Sequence, residues 1–389
     1  MSSRQLSNLC AVLLLLASAC DLPVARNAAP TVVITGGPAG VLPADTATFS
    51  WQGADADGEV VGYRWWLDDS LSAVETPDTT ASLAGLASGN RSFHVQAVDD
   101  SGARSLAAVR AFRVVFDSAI TPRGLDTCLE VVTWNIQNFP KEGDSTLNRV
   151  QAAILRLDFD LYGIQEIQDT LAFMRLLAGL PGYAGLWSRD SYGGFYVKTG
   201  VIYKSEMITV SRVRQLFWNS DSVTRPPLEM AVSARHNGRT FEFRLVVLHL
   251  KAGRTQADFA QRRATCRLLK AYIEDEIASG REQRFIVVGD WNERLDEAPA
   301  FNSLQAFIDD SLSYTFLTWP FRSSSYHASH IASGRVIDHL LITAGARPDY
   351  SGGRTETIRL DDEMTGYEAV VSDHRPVAAW FPVFGLQSQ

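Results

Sequence analysis

The sequence predicts an all-β module followed by a larger α/β domain. Up to about residue 117, short segments alternate apolar and polar residues and are separated by Gly-, Asp- and Asn-rich turns, a pattern typical of a β-sandwich. From residue 128 onward, apolar strand-like runs alternate with segments of helical spacing, which indicates an α/β fold. The length of 389 residues suits two domains.

The N-terminus indicates an export signal over residues 1–20. A positive residue, Arg4, precedes an apolar run over residues 9–19 that is too short to span a bilayer. The run ends in Ala17-Ser18-Ala19-Cys20, which resembles a bacterial lipobox. We therefore expect Cys20 to carry lipid and the product to be anchored to a membrane of the bacterial cell envelope. Ordinary cleavage with secretion is the alternative.

A short tether over residues 21–28 leads into the all-β module, which we expect over residues 29–117. The phrases DADGEVVGYRWWLD and FHVQAVDDSGARS resemble bacterial PKD or fibronectin type III modules, and the resemblance implies an immunoglobulin-like sandwich. A linker over residues 118–127 follows. The predicted strands are residues 31–34, 46–51, 60–67 and 92–98.

The α/β domain is expected over residues 128–384. A helix over residues 147–157 has its apolar side chains on one face, and a long helix is predicted over residues 256–277. We expect Arg262, Arg263 and Arg267 of the long helix on a solvated face, and a phosphate-facing patch is the alternative. The predicted strands are residues 129–134, 161–164, 199–203, 241–250 and 285–288.

Two cysteines belong to this domain, Cys128 and Cys266. They could form a disulfide in an oxidising compartment, but two separate buried thiols are the favoured interpretation. The net charge of −8 and the sequence pI of about 5.4 exclude a general basic footprint for nucleic acid. They do not exclude an enzyme that makes only local phosphate contacts.

Short polar motifs follow the apolar runs: WNIQNF, IQEIQ, LHLK, VVGDWNE, VIDHLL and SDHRPV. Strand ends of a layered sheet can converge on one cleft. Carboxylates, amides and histidines gathered there would form a metal-assisted site that cleaves phosphoesters. The side chains concerned are Asn135, Glu166, His249, Asp290, Asn292, Asp338, Asp373 and His374.

In order and spacing, these motifs resemble those of the endonuclease/exonuclease/phosphatase superfamily, which includes deoxyribonucleases and neutral sphingomyelinases. The resemblance implies a four-layered α/β sandwich with two central β-sheets. It also implies a divalent cofactor, Mg²⁺, with Mn²⁺ or Ca²⁺ as alternatives. Glu166 matches the principal metal-binding carboxylate of the family, Asn135 the amide beside the metal, and Asp373 a further carboxylate near it.

The same resemblance assigns the acid–base groups. His374 matches the catalytic histidine, a neutral imidazole that takes a proton from water, and Asp338 the carboxylate that orients it. Asp290 would orient or deprotonate the water, or handle the leaving group. Asn292 would donate a hydrogen bond to the phosphoryl oxygens.

Less is implied for the remaining candidates. His249 would contact phosphate or protonate the leaving oxygen, with an acidic partner at Asp190 or near Tyr192. Arg225 either grips a phosphate or is an ordinary loop arginine. His327 and His330 could line the cleft or bind a second metal. The favoured interpretation is that one of the histidines at 327, 330 and 339 lines the cleft and the others are structural.

These expectations define an exported, metal-dependent phosphoesterase, with a nuclease as the leading hypothesis and nucleic acid as the expected partner. A phospholipid or sphingomyelin phosphodiesterase and a phosphomonoesterase are the alternatives among enzymes. A catalytically inactive surface adhesion or binding protein is the alternative from another class, and the intact motifs argue against it.

Overall fold

A computed structural model describes residues 26–189 and 197–385 of the chain. Cys20 and the predicted signal segment lie outside the described residues, as do Asp190 and Tyr192. The chain divides into two compact units. The first runs up to Gly37 and includes Thr48–Ala81 and Ser92–Arg110, and the second comprises Pro38–Ala47, Ser82–Arg91 and the chain from Ala111 on.

Residues 26–116 form strands and turns, and no α-helix occurs among them, in keeping with the predicted all-β character. The rings of Phe49 and Phe93 stack with centroids 4.0 Å apart in the core of the first unit. The strands are β1 (Thr31–Gly36), β2 (Gly40–Leu42), β3 (Ala47–Ala54), β4 (Val60–Leu67), β5 (Val74–Thr76), β6 (Thr80–Leu83), β7 (Gly89–Asp99) and β8 (Ala108–Val114). One sheet contains β1, β3 and β6. In the other sheet, β4 pairs with both β5 and β7, and β2 runs parallel to β8.

The second unit is built on two larger sheets. The strands are β9 (Leu129–Phe139), β10 (Leu161–Ile167), β11 (Tyr183–Trp187), β12 (Lys198–Lys204), β13 (Ile208–Gln215), β14 (Leu228–His236), β15 (Arg239–His249), β16 (Phe285–Asp290), β17 (Tyr314–Phe316), β18 (Asp338–Thr343), β19 (Arg354–Thr357) and β20 (Val377–Phe381). The first sheet has the order β11-β12-β10-β9-β20-β19, and the second has the order β13-β14-β15-β16-β18-β17.

The helices follow from local sequence signals. The helices are α1 (Asp144–Leu157), α2 (Thr170–Ala178), α3 (Gln256–Ala278), α4 (Gln305–Ile308), α5 (Arg347–Tyr350), α6 (Leu360–Glu363) and α7 (Tyr367–Val370). Helix α1 buries the apolar stripe that its sequence predicts, and α3 begins with a capping box in which Thr255 and Asp258 exchange hydrogen bonds. Among the described residues, no helix is both long and apolar enough to cross a membrane.

The alternation of strand side chains divides the core of the second unit. On β10, Tyr162 points towards α1 and α2, whereas its neighbour Leu161 packs against side chains of the second sheet. The opposite face of the second sheet packs against α3 and α4. The unit is therefore a mixed α/β fold rich in sheet, as predicted.

The structure tests two further expectations, the state of the two cysteines and the exposure of the arginines on α3. Cys128 and Cys266 are both free and buried, so the interpretation as separate thiols is confirmed. The solvated face expected for Arg262 is wrong. This side chain is buried, and its guanidinium lies 3.2 Å from the carboxylate of Glu293. Arg263 and Arg267 are exposed, as expected.

Candidate active site

Three titratable side chains lie in one row across the second sheet. The parallel pairing of β15 with β16 places His249 opposite Asp290, and the antiparallel pairing of β16 with β18 places Asp290 opposite Asp338. All three side chains are buried. Because β15 and β16 end at these residues and β18 begins at Asp338, the row marks one edge of the sheet.

The first sheet contributes Asn135 and Glu166. In the parallel pairing of β10 with β9, Gln165 lies opposite Asn135, and the register shifts directly after it. Glu166 occupies this shift with a φ of 67°, in the left-handed region that costs a residue other than glycine about 1–3 kcal/mol. Strain of this kind is characteristic of positions where the fold aims a side chain at a functional site.

Asn135 links the edges of the two sheets. Its Nδ2 donates to Oε1 of Glu166 at 3.0 Å and to Oδ2 of Asp290 at 3.2 Å. Its Oδ1 accepts the backbone N–H of Gln137 at 2.9 Å, and the second oxygen of Glu166 accepts that of Asn138 at 2.8 Å. One amide thus holds two carboxylates from different sheets beside each other.

His374 and Asp338 form a hydrogen-bonded pair. Nδ1 of His374 lies 2.8 Å from Oδ2 of Asp338. The backbone N–H of His374 donates to the hydroxyl of Ser372, which in turn donates to the carbonyl of Asn135. These bonds fix the imidazole and leave Nε2 facing Asp290.

Several carboxylates converge on this imidazole. Nε2 of His374 lies 3.9 Å from Oδ2 of Asp290 and 3.9 Å from Oδ1 of Asp373. Burial opposes protonation, but Asp338 and Asp290 outweigh it and raise the pKa of His374 to about 10. Burial and the charge of Asp338 raise the pKa of Asp290 to about 7. These carboxylates therefore favour the protonated imidazole.

His249 lies between the same carboxylates. Its Nε2 is 3.5 Å from Oδ2 of Asp290 and 3.8 Å from Oε1 of Glu166. Its Nδ1 is buried and has no hydrogen-bond partner among the described residues. Burial, and then the charge of Arg225, hold the pKa of His249 well below its ordinary value. The acidic partner expected near Asp190 falls outside the described residues.

Asn292 and Arg225 share an anchor at the side of the cleft. Nδ2 of Asn292 and Nη1 of Arg225 both donate to the carbonyl of Leu250, at 3.1 and 3.0 Å. The backbone N–H of Asn292 donates to Oδ1 of Asp290 at 2.8 Å. Arg225 therefore lies at the side of the cleft. The sequence alone left open whether it grips a phosphate or is an ordinary loop arginine.

Among the histidines at 327, 330 and 339, His330 lines the cleft. Its Nε2 lies 3.7 Å from Oδ2 of Asp373, and its ring meets that of His374 edge-on with centroids 4.9 Å apart. His339, in contrast, is buried against Thr318 and the carbonyl of Glu293, and burial lowers its pKa to about 4.

Gln137 is a site residue that sequence reasoning missed. Its Oε1 accepts the backbone N–H of Asp373 at 3.1 Å and the ammonium of Lys141 at 2.7 Å. The signal was present, because Gln137 stands inside the WNIQNF motif beside Asn135.

Acidic and histidine side chains gather closely enough to bind a divalent cation. In each of two groups, ligand atoms lie within 4.8 Å of one another. The groups are His330, Asp373 and His374, and Asp290, Asp338 and His374. Asn135 connects Glu166 to the second group, because its Nδ2 donates to Oε1 of Glu166 and to Oδ2 of Asp290.

Several solved structures resemble the chain at low sequence identity. A mannosyl-6-phosphatase from Bacteroides thetaiotaomicron is 16% identical, with a TM-score of 0.48, and the match covers 64% of this chain and 98% of that one. The catalytic domain of human Nocturnin with bound sulfate is 17% identical, with a TM-score of 0.47, covering 67% and 96%. Zebrafish (D. rerio) TDP2 complexed with a single-strand DNA product is 13% identical, with a TM-score of 0.48, covering 65% and 98%.

No curated protein matches the chain closely enough to count as a relative. The family comparison is decisive, since residues 132–374 match the Endonuclease/Exonuclease/phosphatase family. The matched range spans more than half of the chain and includes every residue of the cleft described above from Asn135 to His374. The chain therefore belongs to the endonuclease/exonuclease/phosphatase family and is an enzyme that hydrolyses phosphoester bonds.

Proposed function

We propose that the protein is an exported, Mg²⁺-dependent phosphodiesterase that hydrolyses nucleic acid. The observation that carries the proposal is the cleft in which the His374–Asp338 pair faces Asp290 beside the amide-bridged Glu166. We further propose that the catalytic domain is a four-layered sandwich, which the packing of α1 and α2 on one sheet and α3 on the other supports.

The donor set fits a hard divalent cation. Glu166 and Asp290 offer carboxylate oxygens beside the amide of Asn135, and no lysine or arginine among the described residues forms an ion pair with either carboxylate. Oxygen donors suit Mg²⁺, and Mn²⁺ or Ca²⁺ less specifically. When bound, the cation would polarise the phosphoryl group. Glu166, Asn135 and Asp373 are the residues that we propose to hold it.

The chain's own residues would move the proton. A positive charge beside Asp290 would offset the carboxylates that keep His374 protonated and bring its pKa towards neutrality. Nε2 can then accept a proton from the attacking water, while Asp338 stabilises the imidazolium that forms. Asn292 and Arg225, held on the carbonyl of Leu250, flank the place where phosphoryl charge develops.

The test is a substrate panel with the protein lacking residues 1–20. Plasmid DNA, RNA, sphingomyelin and phosphorylated inositols are compared with Mg²⁺ and with EDTA, and His374→Ala serves as the inactive control. We expect Mg²⁺-dependent cleavage of nucleic acid. Turnover of sphingomyelin alone would make the enzyme a phospholipid phosphodiesterase, and turnover of inositol phosphates alone a phosphomonoesterase. No turnover on any substrate would favour the inactive binding protein.

We also propose that Cys20 anchors the protein by a lipid and that residues 29–117 form an immunoglobulin-like spacer. The small residues that precede Cys20 support the anchor, and the alternating strands of residues 31–114 support the spacer. Mass spectrometry of the mature N-terminus tests the anchor. A mature protein that starts elsewhere and carries no lipid would establish secretion instead.

A further inference from the structure

A cavity of about 380 Å³ adjoins the proposed phosphoryl site. Asn292 forms part of its lining, and the loop that leads from β15 into α3 forms another part. Asn292 also hydrogen-bonds Asp290, so the cavity lies next to the reacting groups. A substrate bound at the cleft can therefore extend into it.

Arginines dominate the lining, but only some of them are neutralised. Arg262 lies 3.2 Å from the carboxylate of Glu293, and Arg294 lies 2.7 Å from that of Asp296. Glu297 also lies near Arg294, at 3.9 Å. The charges of Arg262 and Arg294 are therefore paired with the carboxylates around the cavity.

Arg254 and Arg335 are the cations that remain. Both line the cavity, and among the described residues neither side chain has an ion pair or a hydrogen-bond partner. Arg254 is exposed and Arg335 is half-buried, and they belong to different loops. Two guanidinium groups without protein partners can give bidentate hydrogen bonds to a phosphate.

The cavity also has apolar walls. Phe259 and Phe301 line it, and Phe301 is 65% exposed, which is unusual for so large an apolar side chain. An exposed aromatic ring beside unpaired arginines suits a ligand that combines a flat ring with an anion. Stacking of a base on an aromatic side chain is a common source of affinity in single-strand binding proteins.

We infer that this cavity is a subsite for a second phosphate of the substrate, one nucleotide away from the phosphodiester that is cleaved. The inference rests on the proposed function and narrows the substrate to a phosphorylated oligonucleotide or nucleic acid strand. Arg254 and Arg335 bind the second phosphate, and Phe301 packs against the adjoining base or sugar. A choline headgroup, which ends in a quaternary ammonium, would be repelled by the same two arginines.

The test compares three dinucleotides that share one scissile phosphodiester. TpT has no second phosphate, pTpT carries one at the 5′ end, and TpTp carries one at the 3′ end, so both sides of the cleft are examined. We expect kcat/KM for one phosphorylated dinucleotide to exceed that for TpT by roughly tenfold, because two partly exposed charge-assisted contacts are gained.

Arg254→Ala and Arg335→Ala should each remove most of this preference and leave turnover of TpT nearly unchanged. Arg267→Ala, an exposed arginine of α3 outside the cavity lining, is the matched control and should keep the preference. Unfolding midpoints establish that each variant is folded.

Three outcomes are distinct. Equal rates of wild-type cleavage on all three dinucleotides would overturn the subsite and leave the proposed function standing. Equal losses on all three in the arginine variants would likewise overturn it, because the arginines would then act without the second phosphate. Wild-type protein that cleaves none of them, but hydrolyses sphingomyelin, would overturn the proposed function and the subsite together.

Discussion

The two ends of β9 and β10 both bury carboxylates, but they neutralise the charge differently. At the amino ends lie Glu130 and Asp160, and Nζ of Lys204 lies 3.0 Å from Oδ1 of Asp160. At the carboxyl ends, Glu166 and Asp290 share the amide of Asn135 instead. In the first arrangement a lysine forms an ion pair with a carboxylate, whereas in the second no lysine or arginine among the described residues does so with Glu166 or Asp290.

In the amino-end cluster, a lysine and a raised pKa offset the buried acidic charge. Lys204 also lies 2.9 Å from Asp158, and burial together with the charge of Asp160 raises the pKa of Glu130 to about 10, so that this carboxyl stays protonated. The cleft instead keeps its carboxylates next to histidines whose charge can change. Carboxylates that form no ion pair with a lysine or arginine among the described residues are available to an exchangeable divalent ion.

The largest expected effect is loss of the His374–Asp338 pair. His374→Ala and Asp338→Ala should each lower kcat by about 10²–10⁴-fold, because the imidazole accepts the proton and Asp338 holds it in place. The double variant should be little worse than the worse single variant, since the two residues act as one unit. Multiplicative losses in the double variant would show that the 2.8 Å contact is structural and not catalytic.

The next largest effect should come from Glu166. Glu166→Gln keeps the shape of the side chain but removes its charge, and we expect kcat to fall by roughly 10²–10³-fold because a metal-assisted site loses several kcal/mol of stabilisation. The Mg²⁺ concentration for half-maximal activity should rise. Glu356→Gln, an exposed change on β19, is the control. Unchanged Mg²⁺ dependence in Glu166→Gln would place the cation elsewhere.

The sequence predicts which residues come together more readily than how they touch. His249, Asp290 and Asp338 stand next to apolar runs, so local pattern alone places them at strand ends. The contact between His330 and Asp373 depends on two loops that are distant in sequence. No periodicity encodes such a contact.

Packing explains three of the other differences between the predicted and the observed structure. The strand predicted at 129–134 extends to Phe139, because the segment after Trp134 continues the pairing with β10. β13 was missed because its residues are mostly exposed and lack a buried alternation. Arg262 lies on a helix face that looks polar in sequence. Its burial is favourable because its guanidinium pairs with Glu293 and donates to the carbonyls of Lys251 and Gly253.

At the amino end, removing the cation should harm stability and leave catalysis intact. Lys204→Met leaves the nearly buried Asp160 without its partner and should lower the free energy of unfolding by about 2 kcal/mol, less than for a fully buried pair because Lys204 is 25% exposed. Activity per folded molecule should not change. Lys270→Met is the matched control, since its partners Glu274 and Asp310 are more exposed and the loss should be smaller. Equal losses in both variants would show that Lys204 contributes no more to stability than a lysine with more exposed partners.

The smallest effect should be a change in the pH dependence of stability on replacing Glu130. Its folded-state pKa, about 10, lies above its ordinary value of 4.5, so folding keeps a proton that the unfolded chain releases. That contribution is complete below pH 4.5 and is lost as the pH rises towards 10. Glu130→Gln mimics the protonated form and has no such loss.

The free energy of unfolding of Glu130→Gln, measured by urea denaturation, should therefore rise steadily relative to that of the wild type between about pH 5 and pH 9. The ceiling for one proton is about 1.4 kcal/mol per pH unit, and we expect roughly a third of it because Asp160 and Lys204 share the charge. Parallel stability curves for the two proteins, with Glu356→Gln as the exposed control, would mean that Glu130 is ionised in the folded state and that both ends of the strands carry unneutralised acid.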